Sequence, residues 1–275
     1  MFIPDILEKG FQIYPYKNKY RVYTSDTYWF IINNPIELTE NRFLMQKEIY
    51  ENKLKQCEDW SKQYWDKIEK LRNDNVLSKE KIWFTADSHF SHPGILTHTD
   101  RGFTDIHEHD DSWRDKWNDT IGKKDRIYIL GDFYWKNRVG AVALLHKLNG
   151  NKFFIIGNHD KAVEGLDNMF ESIDDLKTVR FKKEQYPYFE EYEFIVFMEH
   201  YPCTSWYQKH RNSLMCHGHV HGNLDNFNDI STDLRVDVGI DAKLAKSCDG
   251  FIDLEHLYEF YWRKRILTEG LIENI

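Results

Sequence analysis

Phe153-Phe154-Ile155-Ile156-Gly157-Asn158-His159-Asp160 is the stretch that decides how this chain is read. Four apolar residues run into a glycine and then into three polar ones. An uninterrupted apolar run of that length predicts a strand buried on both faces, of the kind found in parallel or mixed sheets. Gly157 lets the backbone turn sharply and delivers Asn158, His159 and Asp160 at the strand's carboxyl end. Open α/β sheets place their chemistry there. Asn, Asp and Gly are also ordinary turn residues, so the reading depends on whether the arrangement recurs.

It does recur. From Lys81 onward short apolar runs alternate with helical patterns, which predicts an α/β layer architecture. Strands are expected at 82–86, 126–130, 152–156, 193–198, 214–216 and 234–238, and helices at 111–121 and 139–148. The first strand is followed by Asp87-Ser88-His89 and the second by Gly131-Asp132. The fourth runs into Glu199-His200, and the fifth into His217-Gly218-His219-Val220-His221. Five strand ends thus each supply an oxygen or an imidazole. A carboxylate can bridge two metal ions, while imidazole and amide oxygen suit the remaining positions of intermediate divalent ions.

Asp-x-His, Gly-Asp, Gly-Asn-His-Asp, a lone His and Gly-His-x-His, in that order, resemble the calcineurin-like metallophosphoesterase superfamily. The resemblance covers roughly residues 81–250. The longer forms Asp87-Ser88-His89-Phe90-Ser91-His92-Pro93-Gly94-Ile95 and Val236-Asp237-Val238-Gly239-Ile240-Asp241 are similar to compact bacterial and phage-type members. Residues 1–80 carry no such resemblance. The resemblance implies a β-sandwich flanked by helices, with a two-metal centre at its edge. One ion would be held by Asp87, His89, Asp132 and His221, the other by Asp132, Asn158, His200 and His219, with Asp132 bridging. Mn²⁺ is the first expectation, with Fe, Zn, Ni or Mg as alternatives. Ions roughly 3.5–4 Å apart polarise a phosphoryl oxygen and activate a water for in-line attack. His159 matches the family's general acid, which protonates the leaving alkoxide; the other role open to it is orienting Asp132.

Departures from the family pattern narrow the substrate. The phosphoprotein phosphatases continue Gly-Asp-x-x-Asp-Arg-Gly, whereas this chain reads Gly131-Asp132-Phe133-Tyr134-Trp135-Lys136-Asn137. The Gly-His-x-His ending is instead similar to the phosphodiesterase and nuclease-like branch. Hydrolysis of a phosphodiester, nucleotide-like or small and cyclic, is therefore expected, with a phosphomonoesterase such as a nucleotidase as the rival. A reading of a different class is a metal-binding scaffold that has lost catalysis and recruits partners through its N-terminal helix. Against it, all seven ligand positions and the candidate acid are filled.

Other residues near these motifs carry weaker signals. His92, three past His89, is a candidate phosphate contact or a satisfied loop histidine. Arg101, in Asp100-Arg101-Gly102-Phe103, would suit a bidentate phosphate contact, or else lie on the surface. His107 and His109 fall in an acidic run and are expected on a solvated face. Tyr134, Trp135, Trp206 and Tyr207 either pack or stack a base. His217 is expected to face away from His219 and His221.

Charge and composition set limits on the rest. Residues 1–80 hold 13 basic and 13 acidic side chains, leaving 24 basic and 32 acidic for 81–275 and the whole net charge of −8. A domain this acidic is a poor general binder of nucleic-acid backbone, but it suits divalent cations. No apolar run approaches the 18 residues of a membrane span. The four cysteines (Cys57, Cys203, Cys216 and Cys248) form no C-x-x-C pair, and the start shows no secretory signal. A cytoplasmic protein with free thiols is the expectation. Two domains are expected, 1–80 and 81–275. The first would carry a small antiparallel sheet over 11–34, with a turn at Thr24-Ser25-Asp26. A long helix would follow from Thr39, as N-cap, to Asn73. Apolar residues at Tyr50, Leu54, Cys57, Tyr64, Ile68 and Leu71 keep a 4-3 spacing broken only by Ser61. That seam packs within its own domain or forms a coiled-coil dimer.

Overall fold

The computed structural model describes residues 12–16, 19–23, 29–32 and 40–268. The expected turn at Thr24-Ser25-Asp26 and the expected cap Thr39 lie outside them. The chain divides into two compact units, one of residues 1–69, 226–233 and 259–275, the other of 70–225 and 234–258.

In the first unit, β1 (Gln12–Tyr16), β2 (Lys19–Tyr23) and β3 (Trp29–Ile32) form an antiparallel sheet in that order. The helix α1 (Glu40–Asn73) is continuous over 34 residues. Its apolar seam is buried at Cys57, Tyr64 and Ile68, and the interrupting Ser61 is buried with them. Ser61 Oγ accepts a hydrogen bond from Arg263, which explains how a hydroxyl is tolerated in the seam. Trp60 stacks on Tyr64 and on Trp262, with centroids 4.9 and 5.9 Å away.

The second unit is mixed α/β, built from two sheets. One comprises β4 (Ile82–Thr85), β5 (Arg126–Leu130), β6 (Asn151–Ile155), β7 (Ser172–Asp174) and β12 (Ile252–Asp253), in the order β12-β4-β5-β6-β7. Strands β4 to β7 are parallel and β12 is antiparallel to β4. The other contains β8 (Leu176–Lys182), β9 (Glu193–Glu199), β10 (Leu214–His217) and β11 (Arg235–Asp237), in the order β11-β10-β9-β8, with only β8 antiparallel. The helices α2 (Ile95–His98), α3 (Ile106–Thr120) and α4 (Arg138–Leu145) punctuate the strands of the second unit; of the remaining helices, most of α5 (Asp225–Ile230) and of α7 (Leu254–Thr268) belongs to the first unit, and α6 (Lys243–Ser247) to the second.

The period-2 alternation of strands divides the core. Trp83, Ile127, Ile129 and Phe154 face one way and pack against Trp117 of α3 and Leu145 of α4. Phe84 and Tyr128 face the other way, stacked at 5.3 Å, and Phe84 meets Phe181 of β8 edge-on at 6.4 Å. The two sheets therefore face each other, with helices on an outer face. Burying a ring as completely as Phe84 or Phe154 contributes about 1.5–3 kcal/mol. The opening stretch follows expectation at Phe154 and Ile155, both fully buried, but Ile156 is 38% exposed. Helix α3 starts five residues before the expected position because Asp105 caps it, accepting from the backbone N–H groups of His107 and Glu108 at 2.8 and 3.1 Å. Among the described residues no helix is long and apolar enough to cross a membrane. None of the four cysteines forms a disulfide.

Candidate metal centre

Parallel strands deliver their carboxyl ends to one edge, so β4, β5 and β6 aim their following residues the same way. Those of β9, β10 and β11 do likewise in the second sheet. The two edges meet: Ala86 bridges Gly239, His219 N–H donates to the Asp87 carboxylate at 2.9 Å, and His200 Nδ1 lies 2.7 Å from the carbonyl of Leu130.

Two groups of donors result. Asp87, His89 and His221 bring ligand atoms within 4.8 Å of one another, as do Asp132, His200 and His219. Either group could hold a metal ion. Asp132 faces both: its Oδ2 is 3.5 Å from His89 Nε2 and its Oδ1 3.5 Å from His200 Nε2. Asn158 Oδ1 lies 3.1 Å from the same His200 nitrogen. All seven expected ligands thus converge, along with His159, whose backbone N–H donates to Asp132 Oδ1 at 2.9 Å.

Three of the four histidines are oriented through Nδ1, leaving Nε2 toward the centre. His200 donates to the Leu130 carbonyl, His221 Nδ1 lies 2.8 Å from Asp241 Oδ2, and His89 Nδ1 lies 3.0 Å from His92 Nδ1. Such outer contacts fix ring tautomer and direction. His89 Nε2 is buried with no hydrogen-bond partner, and a neutral His200 would turn a lone pair toward two oxygen acceptors. A cation would satisfy both places, so the donor set fits divalent ions. Without metal, burial would lower the His200 pKa, but the Asp132 hydrogen bond and the Asp87 and Asp132 charges outweigh it and raise it to about 9. An ion held by His200 would displace that proton.

The carboxylates argue the same way. Asp87 and Asp237 are fully buried, and a Cβ on Gly239 would touch both, 2.5 Å from Asp87 Oδ2 and 2.9 Å from Asp237 Oδ1. Burial pushes both carboxyl groups up, and the Asp87 charge adds to the effect at Asp237. Carboxyl groups buried together in this way either take up a proton or stay charged beside a compensating cation.

Backbone strain is concentrated here. Asp87, His89, Asp132, His219 and His221 all have left-handed φ, between 50° and 71°, which costs side-chain-bearing residues about 1–3 kcal/mol each. Gly157 is required for a different reason than a positive φ. A Cβ there would lie 2.4 Å from Asp132 Oδ1 and 2.9 Å from Asp160 Oδ2.

The outlying expectations fare differently. Arg101 does not face a substrate: its side chain is 3% exposed and grips Asp241 at 2.7 and 3.1 Å, with further bonds to the Ser88 and Asp87 carbonyls. A guanidinium so fully engaged has no donor fork left for phosphate. His92 spends Nδ1 on His89 and stacks flat on Trp135 at 4.1 Å. His107 is exposed, but His109 is fully buried between Arg101 and Asp110, because the earlier start of α3 turns it inward. Tyr134 and Trp206 are buried, whereas Trp135 and Tyr207 are exposed. His217 is buried and belongs to neither donor group. The sequence reading quoted Asp237 and Asp241 within a motif without giving either a role, and it did not single out Tyr201. Asp241 follows Val238-Gly239-Ile240, a short form of the signal that found the others, whereas Asp237 sits between two valines at the end of β11, behind a charged Arg235. A cavity of about 350 Å³ lined by Tyr186, Tyr188, Asp253 and Glu255 contains none of these donors.

No protein-family model matches the chain. Over 87 residues it is 39% identical to an uncharacterized protein of Methanocaldococcus jannaschii, covering 31% of this chain and 49% of that protein, about half its length. The gene 66 protein of Mycobacterium phage L5 is 25% identical over 204 residues, 64% of this chain and 95% of its own. Its counterpart in Mycobacterium phage D29 is 24% identical over 180 residues, 58% of this chain and 88% of its own. A solved structure of a protein of unknown function from Aquifex aeolicus matches with a TM-score of 0.49 and 20% identity, covering 66% of this chain and 99% of that one.

Proposed function

We propose that this chain is a phosphoesterase with a dinuclear metal centre, acting on phosphodiesters of a nucleotide-like kind. The observation that carries the reading is Asp132, which offers one oxygen to each of two histidine-containing donor groups at 3.5 Å. Asp87, His89, Asp132 and His221 would hold one divalent ion, and Asp132, Asn158, His200 and His219 the other, with Mn²⁺ the first to test. When bound, such a pair supplies Lewis acidity toward a phosphoryl oxygen and a strong nucleophile from water at neutral pH. The resemblance of the motifs to calcineurin-like metallophosphoesterases leads to the same reading.

The protein's own groups supply the rest. His159 is tied to Asp132 through its backbone, its ring 5.6 Å from that of His89 and half-buried. In this reading its ring would give a proton to the departing alkoxide and hold a phosphate oxygen before that. Asp160 accepts from the backbone N–H groups of Asp132, Phe133 and Gly157 at 2.7–2.8 Å, fixing the loops that carry Asp132 and Asn158.

The diester is favoured over the monoester by the rim. Asn158 is exposed, and Trp135 and Tyr201 are each 44% exposed. A diester carries substituents on both sides of phosphorus and needs such openness. The test is hydrolysis of bis-p-nitrophenyl phosphate beside p-nitrophenyl phosphate, with Mn²⁺ and with EDTA. Metal-dependent cleavage of the diester is the expected result. Preference for the monoester would favour a nucleotidase. No turnover with Mn, Fe, Zn, Ni or Mg, in a protein that binds two ions, would favour the scaffold.

A further inference from the structure

Two large aromatic side chains stay exposed beside the buried donors, on different sides of them. Trp135 borders His159 and His92, with ring centroids 4.8 and 4.1 Å away. Tyr201 borders His219 and His200 at 4.5 and 5.1 Å. Trp135 therefore adjoins the His89 side and Tyr201 the His200–His219 side. Single exposed aromatics are commonplace on protein surfaces. A pair flanking one donor constellation is a more specific arrangement.

Neither ring is buried in the core, unlike another aromatic of the same loop in each case. Tyr134 and Trp206 are buried and use their polar atoms, Tyr134 Oη with Ser91 and Trp206 Nε1 with Ser213. Trp135 is 44% exposed, and its indole N–H has no partner among the described residues. It is nevertheless held rigidly. Its backbone N–H donates to the Phe90 carbonyl at 2.9 Å, and the His92 ring lies against the indole at an interplanar angle of 11°. A platform already fixed in position loses little conformational entropy when a planar group settles on it. The next residue, Lys136, is exposed and makes no hydrogen bond or ion pair among the described residues, so a cation stands free beside the platform.

We infer that Trp135 and Tyr201 are stacking platforms for the two nucleoside groups of a phosphodiester whose phosphate lies on the donors between them. The inference rests on the phosphoesterase reading. A phosphate bound across both donor groups sends its two ester substituents outward in different directions, and each meets an aromatic face there. Stacking accepts any base because every base has a π-face. The substrate class is therefore a dinucleotide or a single-stranded end with unpaired bases. The acidity of the domain, which disfavours long nucleic-acid tracks, fits such a short contact.

The test compares two esters with one leaving group, thymidine 5′-(p-nitrophenyl phosphate) and methyl p-nitrophenyl phosphate, with Mn²⁺. The wild type is expected to prefer the thymidine ester, and W135A to lower that preference about tenfold, through KM. W135F is expected to retain most of it. Equilibrium binding is read separately on thymidylyl-thymidine with diamagnetic Ca²⁺ in place of Mn²⁺, where a ring-current shift of the thymine methyl resonances should be reduced in W135A and in Y201A. A preference unchanged in W135A, whatever the overall rate, overturns the inference and leaves the phosphoesterase standing. Failure of the wild type to cleave either ester sinks the phosphoesterase reading instead, and the ring-current shift alone then decides whether the platforms bind bases.

Discussion

His221 Nδ1 lies 2.8 Å from Asp241 Oδ2, and Arg101 clamps the same carboxylate through two nitrogens at 2.7 and 3.1 Å. Burial opposes ionisation of Asp241, but the His221 and Arg101 hydrogen bonds outweigh it and hold the pKa at about 2. The carboxylate thus keeps the His221 proton on Nδ1 and its lone pair on Nε2. Asp241→Asn should weaken the affinity for Mn²⁺ about 10–100-fold at this position, with an unchanged far-UV circular dichroism spectrum. Titration calorimetry reads it directly. Affinity equal to the wild type's would remove Asp241 and Arg101 from any part in the centre.

Asp132 serves both donor groups, so its charge should matter twice. Asp132→Asn keeps the shape and one oxygen but loses the negative charge that two cations would share. The expected outcome is a fall from two bound ions to at most one, by metal analysis after gel filtration, and a loss of turnover of several orders of magnitude. Two tightly held ions in the variant would mean that Asp132 is not a bridge.

Much of this centre was readable because its chemistry sits at strand ends, where an apolar run stops and polar residues begin. Ile129-Leu130-Gly131-Asp132 and Met215-Cys216-His217-Gly218-His219 announce themselves in that way. Residues that act from behind the donors gave a weaker signal. Arg101 lies on a loop with no periodicity to tell an inward side chain from an outward one, and His109 sits in an acidic run that reads as a solvated face. The orientation of Arg101 goes with a contact between residues far apart in the chain, Arg101 to Asp241, and His109 in turn lies against Arg101. The strand Leu176–Lys182 escaped for a related reason. It is the edge of its sheet, mostly half-exposed, and its lysines and arginine hide the alternation that a two-sided core would have sharpened.

His159 contacts Asp132 through its backbone N–H, and that contact survives in His159→Ala. The variant therefore separates proton donation from positioning. It should lose rate strongly on alkyl esters, whose leaving groups need a proton, and little on p-nitrophenyl esters, whose leaving group does not. The measurement is kcat on both with saturating Mn²⁺. Equal losses on both would take proton donation away from the His159 ring and leave it the holding of a phosphate oxygen.

Asp160 is 2% exposed, and its two oxygens accept three backbone N–H groups, from Asp132, Phe133 and Gly157. Asp160→Ala leaves those donors buried without acceptors, so the expected cost is about 2–4 kcal/mol in denaturant unfolding. Asp160→Asn should fall between, because its amide oxygen can still serve two donors while its NH₂ faces the third. A loss below 1 kcal/mol in the alanine variant, from roughly that scale, would mean that water replaces the carboxylate.

Asp253 precedes α7 and accepts from the His256 backbone N–H at 2.9 Å and its ring Nδ1 at 2.6 Å. Burial would raise its pKa, but the His256 hydrogen bonds and charge outweigh that and hold it below the usual value. A carboxyl group with a depressed pKa in the folded state releases its proton more readily there than in the unfolded chain. Its stabilisation is fully present above the unfolded pKa, near 4, and is lost as pH falls through the folded value. Asp253→Asn lacks this linkage but keeps an N-capping oxygen. Its Tm, measured in EDTA, should lie below the wild type's at pH 7, and the gap should close as the pH falls below about 4. A gap that stays constant down to pH 3 would place the contribution of Asp253 in shape and hydrogen bonding rather than in its charge.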